Sequence, residues 1–411
     1  MSAPSVVVVG GGLIGLTSAL FLRQLGAEVT VLDVESLGSG ASRGNAGFFS
    51  PTIAAPLAAP GVVWSSLRSL LNPTSPLRIH PKALPGLAGW SIDFMKACTA
   101  SRFEQARAAM AGLNHDLEPL LTRLEQAGVA VHRSPELLVA VHDQAFADHV
   151  FAGLQPMARH GFPMPVEVID GDAMRALMPA LTDHVTAGIV LPADRSVDPR
   201  RYVETIIEAC RTAGVELLDH HVVTGFDRSA GRVRAVVANG RRFEAEHVVL
   251  AAGAGIRPLG RLLDLSIPVV PGQGYNVALP VSDGLRQPVI FEEVHAVATP
   301  FTDQIRLGGT MEFAGRHPRF DPRRVEAVVT SLRRYLDLDW DAAHDAWAGS
   351  RPMSADGLPL IGRPRRYRNV VVAGGHGMYG LTLAPATAQA VAELVVDGRA
   401  RADLSAFDPD R

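Results

Sequence analysis

Gly10, Gly12 and Gly15, in VVVVGGGLIGLTSAL, stand in G-x-G-x-x-G register. Asp33 follows at the ~20-residue spacing of a ribose-binding carboxylate. Gly10 permits a tight turn out of a strand, Gly12 lets the backbone approach a pyrophosphate, and Gly15 lets the helix pack close to the sheet. The helix start, with Leu13 and Ile14 in its first turn, offers N–H groups and a positive dipole end to phosphate. Asp33 suits ribose hydroxyls and would repel a 2′-phosphate, whereas Glu35 reads as a solvated neighbour. This unit alone fits NAD and FAD equally. A second segment, GSGASRGNAGFFSP, adds Ser42, Arg43, Asn45, Ala46 and Gly47. Its small residues let backbone amides reach a flat ring or a phosphate, and Arg43 is the phosphate candidate.

Other chemistries find no support. His220–His221 is an adjacent pair that cannot share a helical face, and neither H-E-x-x-H nor G-x-S-x-G occurs, so no metal site is expected. Cys98 and Cys210 lack metal-type spacing and read as inert thiols in a reducing, cytoplasmic compartment. Arg351, taken alone, reads as an ordinary surface arginine.

The elements that must position these residues begin with a buried strand at Ser5–Val9, a helix over 13–25 stopped by Gly26, and a strand at Glu28–Asp33, a β-α-β unit. Seven prolines between Pro51 and Pro85 break the next stretch into a loop region, with apolar pieces at Val62–Trp64 and Leu67–Leu71. A lid or a docking segment is the functional alternative for it. The pattern predicts one long helix over Phe103–Ala127, helical stretches over Gln144–His160, Asp170–Met178, Pro199–Ala213 and Pro322–Leu336, and strands at 215–218, 221–226, 233–238 and 247–251. The last unit is a strand at Val370–Ala373, a glycine turn, and a helix from about Leu381 to Val396. A nucleotide-binding domain is thus expected from 1–50, 197–255 and 345–411, and a mixed α/β second domain from 51–196 and 256–344. The 411 residues suit two domains. A 47% hydrophobic and 20% charged composition is globular, and a net charge of −3 gives no electrostatic reason for nucleic acid or an anionic membrane as the main partner. Val6–Leu22 lacks the basic flank and cleavage site of a signal peptide.

The blocks GGGLIG, ASRGNAGFFSPTIAAPLAAPGV, VVLAAGA (248–254), IPVVPGQGYNVALP, IRLGGTMEFAG, AWAGSRPMSADGLPLIGR and VVVAGGHGMYGLTLAPATA run along nearly the whole chain. In this order they resemble the D-amino-acid oxidase superfamily of flavoproteins, and within it bacterial D-amino-acid dehydrogenases. The resemblance implies a GR2-type, Rossmann-like FAD domain built from discontinuous segments, with a mixed-sheet substrate domain over the flavin. It implies FAD with its pyrophosphate on Gly10–Gly15 and its ribose on Asp33. Ser42, Asn45, Ala46 and Gly47 would lie beside the flavin ring, Val222 would meet the adenine through its backbone, and Ala252 and Gly253 would lie in the cofactor site. Gly375, Gly377, Gly380, Leu381 and Thr382 would form the turn at the flavin pyrimidine. Neither cysteine matches the position that anchors flavin covalently in some relatives, so the FAD is expected to dissociate. Arg351 matches the arginine that pairs with the substrate carboxylate. Tyr275, His295 and Met378 fall at substrate-side positions, although Val294 and His295 replace a tyrosine or lysine of relatives and Gln273 replaces a lysine.

The implied reaction is oxidative deamination of a D-amino acid to the 2-oxo acid and ammonia, with hydride passing from the α-carbon to flavin N5. Alternatives are oxidation of a secondary amine or imino acid (sarcosine, glycine, D-proline, 4-hydroxy-D-proline) and a non-catalytic flavin subunit of a larger complex. The electron acceptor is expected to be a quinone, a carrier or oxygen. Peripheral association with the inner face of a membrane through the 51–85 segment is the alternative to a purely soluble protein.

Overall fold

The structure, a computed structural model, describes residues 3–62, 75–131, 134–315 and 319–411. Its first layer is a six-stranded sheet in the order Leu360–Gly362, Val370–Gly374, His247–Leu250, Ser5–Val9, Glu28–Leu32, Glu216–Leu218. All neighbours are parallel except the first pair. The Ser5–Val9 run is apolar throughout because both faces of the sheet are covered. Val6 and Val8 face a core shared with the helices Leu13–Gln24, Pro199–Thr212 and Gly380–Val396. Val7 and Val9 face the opposite core, under a three-stranded sheet formed by Val223–Ser229, Arg232–Ala238 and Arg241–Glu244.

The second layer is a nine-stranded mixed sheet. It runs His344–Ser354, Val269–Leu279, Ile305–Phe313, Ala296–Pro300, Val289–Phe291, Leu137–Val141, Ala187–Leu191, Ile169–Asp170, with Leu77–Ile79 paired alongside Ile305–Phe313. Helix Pro322–Leu332 packs Val328 and Leu332 against this sheet. Leu87 of helix Leu84–Ala97 packs against Val270, Met311 and Met353.

Several boundaries differ from the sequence expectation. The helix expected over Phe103–Ala127 is two helices, Ala100–Leu113 and Leu117–Gln126. Asn114 is fully buried and its carbonyl accepts from Leu117 N at 3.0 Å, so Asn-His-Asp closes a turn instead of continuing the helix. Both helices bury Met110, Leu113, Leu120, Leu121 and Leu124 in the core of the first layer, although 51–196 was expected in the second. Strand His344–Ser354 runs in the nine-stranded sheet, not with the rest of 345–411, because its ladder partner is Val269–Leu279. Gln144–His160 changes from α-helix to 3₁₀ at Gln155, next to Pro156, and ends on Gly161 at φ +83°. The proline-rich stretch carries a strand and a helix from Leu77 onward. Leu67–Leu71, and all of Val62–Trp64 except Val62, lie outside the described residues. Among the described residues, no helix is long and apolar enough to cross a membrane.

Candidate functional site

A cavity of about 2150 Å³ lies between the two layers and draws its walls from both. On the nucleotide side the glycines behave as their spacing demands. A Cβ on Gly10 (φ +116°) would fall 2.4 Å from the Ala251 carbonyl oxygen, and one on Gly15 would fall 1.8 Å from the Gly10 carbonyl oxygen. The turn therefore closes only with glycine at both places. Helix Leu13–Gln24 has no acidic residue in its first turn, and Leu13 N donates to Ser42 Oγ at 3.0 Å. Helix Gly380–Val396 begins without a side-chain cap and, like the first, without an acidic residue in its first turn. Both starts line the cavity, so two positive dipole ends face it. Asp33 Oδ2 accepts from Gly11 N at 2.5 Å and Oδ1 from Glu35 N at 2.9 Å. Burial pushes this carboxyl up, against the pull of those two amides.

Gly10, Gly12, Leu13, Ile14, Asp33, Ser42, Asn45, Ala46, Val222, Ala252, Gly253, Gly377, Gly380, Leu381 and Thr382 all line the cavity. Four of the expected cofactor residues do not. Gly15 is occupied with helix packing. Gly47 sits where a Cβ would meet the Val197 carbonyl at 2.3 Å. Gly375 is a turn residue at φ +77° behind the wall. Arg43 points outward to Glu204, 2.9 Å away, because helix Pro199–Thr212 offers it a carboxylate. Val222 lines the wall, but its N–H donates to Asn239 Oδ1 (3.0 Å) and its carbonyl accepts from Asn239 N (3.2 Å), so its backbone is already engaged. Neither Cys98 nor Cys210 lines the cavity; burial pushes the Cys210 thiol up to about 12.

On the opposite wall Arg351 is half-buried and faces the cavity. Its Nη1 donates to the Thr310 carbonyl at 2.9 Å and touches Met311 Sδ at 3.6 Å. Among the described residues no carboxylate pairs with it, and burial pushes its guanidinium down to about 10, leaving it charged at neutral pH. The guanidinium occupies the space beside Gly274, where a Cβ would lie 2.3 Å from Arg351 Cζ. Trp347 and Gly349 share its face of the strand, by the two-residue alternation of side chains. The indole fills the space beside Gly349 and Gly44.

The other expected substrate residues are less uniform. Met378 (46% exposed) and the exposed His295, held at φ +49°, both line the cavity. Tyr275 also contributes to the wall, but its side chain alternates with Gly274 and its hydroxyl donates to Glu312 Oε2 at 2.7 Å. The hydroxyl is thus committed on the face of the sheet away from Arg351. Burial and that hydrogen bond push it above its ordinary range. Sequence reasoning missed His376, which is buried, lines the cavity and bonds Thr387 Oγ1 through Nε2 at 3.0 Å. Burial drives its imidazole down to about 3, so it is neutral. It also missed Thr310, whose φ of +57° aims its carbonyl at Arg351. The sole trace of either in the sequence is its place within a matching block.

The family model described as DAO, FAD dependent oxidoreductase, matches residues 5–394. A D-amino acid dehydrogenase of Methylobacterium sp. is 33% identical over 401 residues, covering 95% of this chain and 94% of that protein. One of Neisseria gonorrhoeae is 30% identical over 402 residues, covering 95% of each. Among solved structures, glycine oxidase from Geobacillus kaustophilus superposes with a TM-score of 0.77 at 23% identity, covering 100% of this chain and 99% of that one. L-proline dehydrogenase from P. horikoshii superposes with a TM-score of 0.75 at 20% identity, covering 100% and 98%. The structural likeness establishes the shared two-layer α/β fold, and together with the match along 5–394 it follows that the chain belongs to the DAO family of FAD-dependent oxidoreductases.

Proposed function

We propose that this enzyme oxidises a D-amino acid to its 2-oxo acid and ammonia, holding the substrate carboxylate on Arg351. The residues present fit the cofactor that the family requires. Gly10 and Gly15 leave no room for a side chain, two helix starts without an acidic residue in their first turns face the cavity, and Asp33 directly follows the next strand. In this reading the layer of the six-stranded sheet holds a dissociable FAD and the nine-stranded sheet covers the substrate. Bound there, FAD supplies a two-electron acceptor for the substrate's C–H bond.

The observation that carries the proposal is a cavity-facing guanidinium with no anion paired to it among the described residues. Such a group is costly to bury unpaired, and a ligand carboxylate is the partner that removes the cost. The Thr310 carbonyl fixes one edge of the fork through Nη1. Among the described residues, Nε and Nη2 donate to no protein atom. A planar fork with free donors binds a carboxylate with a defined orientation, which sets where the neighbouring α-carbon lies. Orientation of this kind supplies roughly 7–11 kcal/mol of barrier reduction in favourable cases. Neutral His376 adds no charge to the wall. The D-amino-acid reading follows the names of relatives of 30–33% identity.

The test is anaerobic mixing of the purified yellow protein with paired D- and L-amino acids, sarcosine, D-proline and 4-hydroxy-D-proline, with flavin absorbance as the readout. Bleaching by D-amino acids and not by their L forms is expected. Bleaching by secondary amines alone would reassign the substrate, and no bleaching by any amine would leave a non-catalytic flavin subunit. An air-mixing arm distinguishes oxygen from a quinone or carrier as acceptor.

A further inference from the structure

Four successive carbonyls of the segment 43–46, on the cavity side of the first layer, face the nine-stranded sheet and are taken by its side chains. Arg306 Nη1 donates to the carbonyls of Arg43 (3.2 Å) and Asn45 (2.8 Å). Asn276 Nδ2 donates to that of Gly44 (2.7 Å), and Thr299 Oγ1 to that of Ala46 (2.9 Å). The three donors stand on three strands of one sheet, Val269–Leu279, Ala296–Pro300 and Ile305–Phe313. They are 7%, 0% and 5% exposed.

This segment has little backbone support of its own. Arg43 N reaches Gly40 O at 3.2 Å, and the Asn45 side chain bridges Ser42 O and Gly47 N. With the carbonyls drawn to the sheet, the peptide planes of 43–46 are set, and the planes fix the direction of the amides. Gly44, Asn45 and Ala46 line the cavity in that orientation. Arg306 lines it too, stacks 5.0 Å over Phe301, and has no carboxylate within ion-pair distance among the described residues. Two carbonyl oxygens are therefore its principal partners, and such bonds from a charged donor are the strong kind.

We propose that Asn276, Thr299 and Arg306 are positioning residues for the FAD: a clamp by which the sheet covering the substrate holds the cofactor-facing segment 43–46, so that FAD affinity depends on side chains of the other layer. The inference rests on the family's cofactor and not on the amine reading, so it stands or falls separately from that reading.

The experiment measures the FAD dissociation constant of deflavinated protein by flavin fluorescence, and amide hydrogen exchange over 43–47, for R306M, R306K, N276A and T299V. Losing a hydrogen bond to a charged group costs enough to raise the dissociation constant about 10- to 100-fold for R306M. R306K, which keeps a charged donor, is expected to recover part of that loss. N276A and T299V are expected to give smaller increases, and exchange over 43–47 is expected to quicken in all but R306K. Melting of the apoprotein provides the control, because a merely structural role lowers apo and holo melting temperatures equally. Should R306M fail to fold, T299V and R306K still decide the question. The proposal is overturned if the dissociation constants of folded R306M, N276A and T299V stay within twofold of wild type, or if exchange over 43–47 is unchanged in those variants.

Discussion

Replacing Arg351 with methionine is expected to do two opposite things. Met keeps the aliphatic stem of Arg but ends short of the guanidinium carbon, so the stem's packing stays while the charge and the atoms beside Gly274 go. In the substrate-free protein the guanidinium is held down to about 10 from 12.5 by burial alone. That depression corresponds to about 3 kcal/mol of desolvation, which the free protein carries with no counter-charge among the described residues. Arg351→Met should therefore leave stability unchanged or raise it, seen as a melting temperature equal to or above wild type. With substrate bound, the same change removes one partner of a buried charge pair, a loss of about 2–5 kcal/mol. At 1.4 kcal/mol per tenfold, kcat/KM for D-amino acids should fall about 30- to 4000-fold. The assay is anaerobic flavin bleaching with a D-amino acid and with the matching amine that lacks a carboxylate. The loss should appear for the acid alone. The pH dependence of this group has a definite sign: the free guanidinium is charged below about 10, so its contribution to KM for the acid should be flat below that value, rise above it, and level off only past the higher value that a bound carboxylate gives it. Equal losses for acid and plain amine, or a kcat/KM within threefold of wild type, would refute the assignment.

Gly274→Ala places a Cβ 2.3 Å from Arg351 Cζ, so it should impair the carboxylate contact without removing charge, raising KM for amino acids while FAD affinity is kept. Gly15→Ala pushes a methyl to 1.8 Å from the Gly10 carbonyl and should yield a colourless protein, read as flavin absorbance after purification. Asp194, fully buried, accepts from Thr52 N (3.2 Å) and lies 2.5 Å from Thr52 Oγ1 through Oδ2, behind the cavity wall. Burial pushes its carboxyl up to about 7, so its protonated form suits the fold; that contribution is complete below about 3.8 and is lost as pH rises through 7. Asp194→Asn, a mimic of the protonated acid, should gain melting temperature relative to wild type between pH 5 and pH 8. A constant difference between the two proteins would sink this reading.

The local chemistry of the nucleotide side was legible in the chain. An apolar run, three glycines at fixed spacing and an acid after the next strand leave few conformations open, because each depends on backbone sterics and near neighbours. Gly10, Gly12 and Asp33 accordingly line the cavity, and Gly15 packs helix on strand. Arg351 was legible by resemblance alone, since nothing within a few residues of it announces a site. What needed the tertiary structure was everything decided across distance. Arg43, expected at a phosphate, stands 2.9 Å from Glu204 of helix Pro199–Thr212. Tyr275, expected on the substrate side, lines the cavity, while its hydroxyl goes to Glu312, 37 residues away. Strand His344–Ser354 joined the second sheet because its hydrogen-bonding partner lies some 75 residues earlier in the chain (Val269↔Ser354, Ala278↔His344). Whether the Arg351 guanidinium has a counter-charge, and whether Arg306 reaches the 43–46 carbonyls, depend on which side chains long-range packing delivers. Residue type and spacing set the local turn and its dipole, while only the packed structure sets which charges remain unpaired.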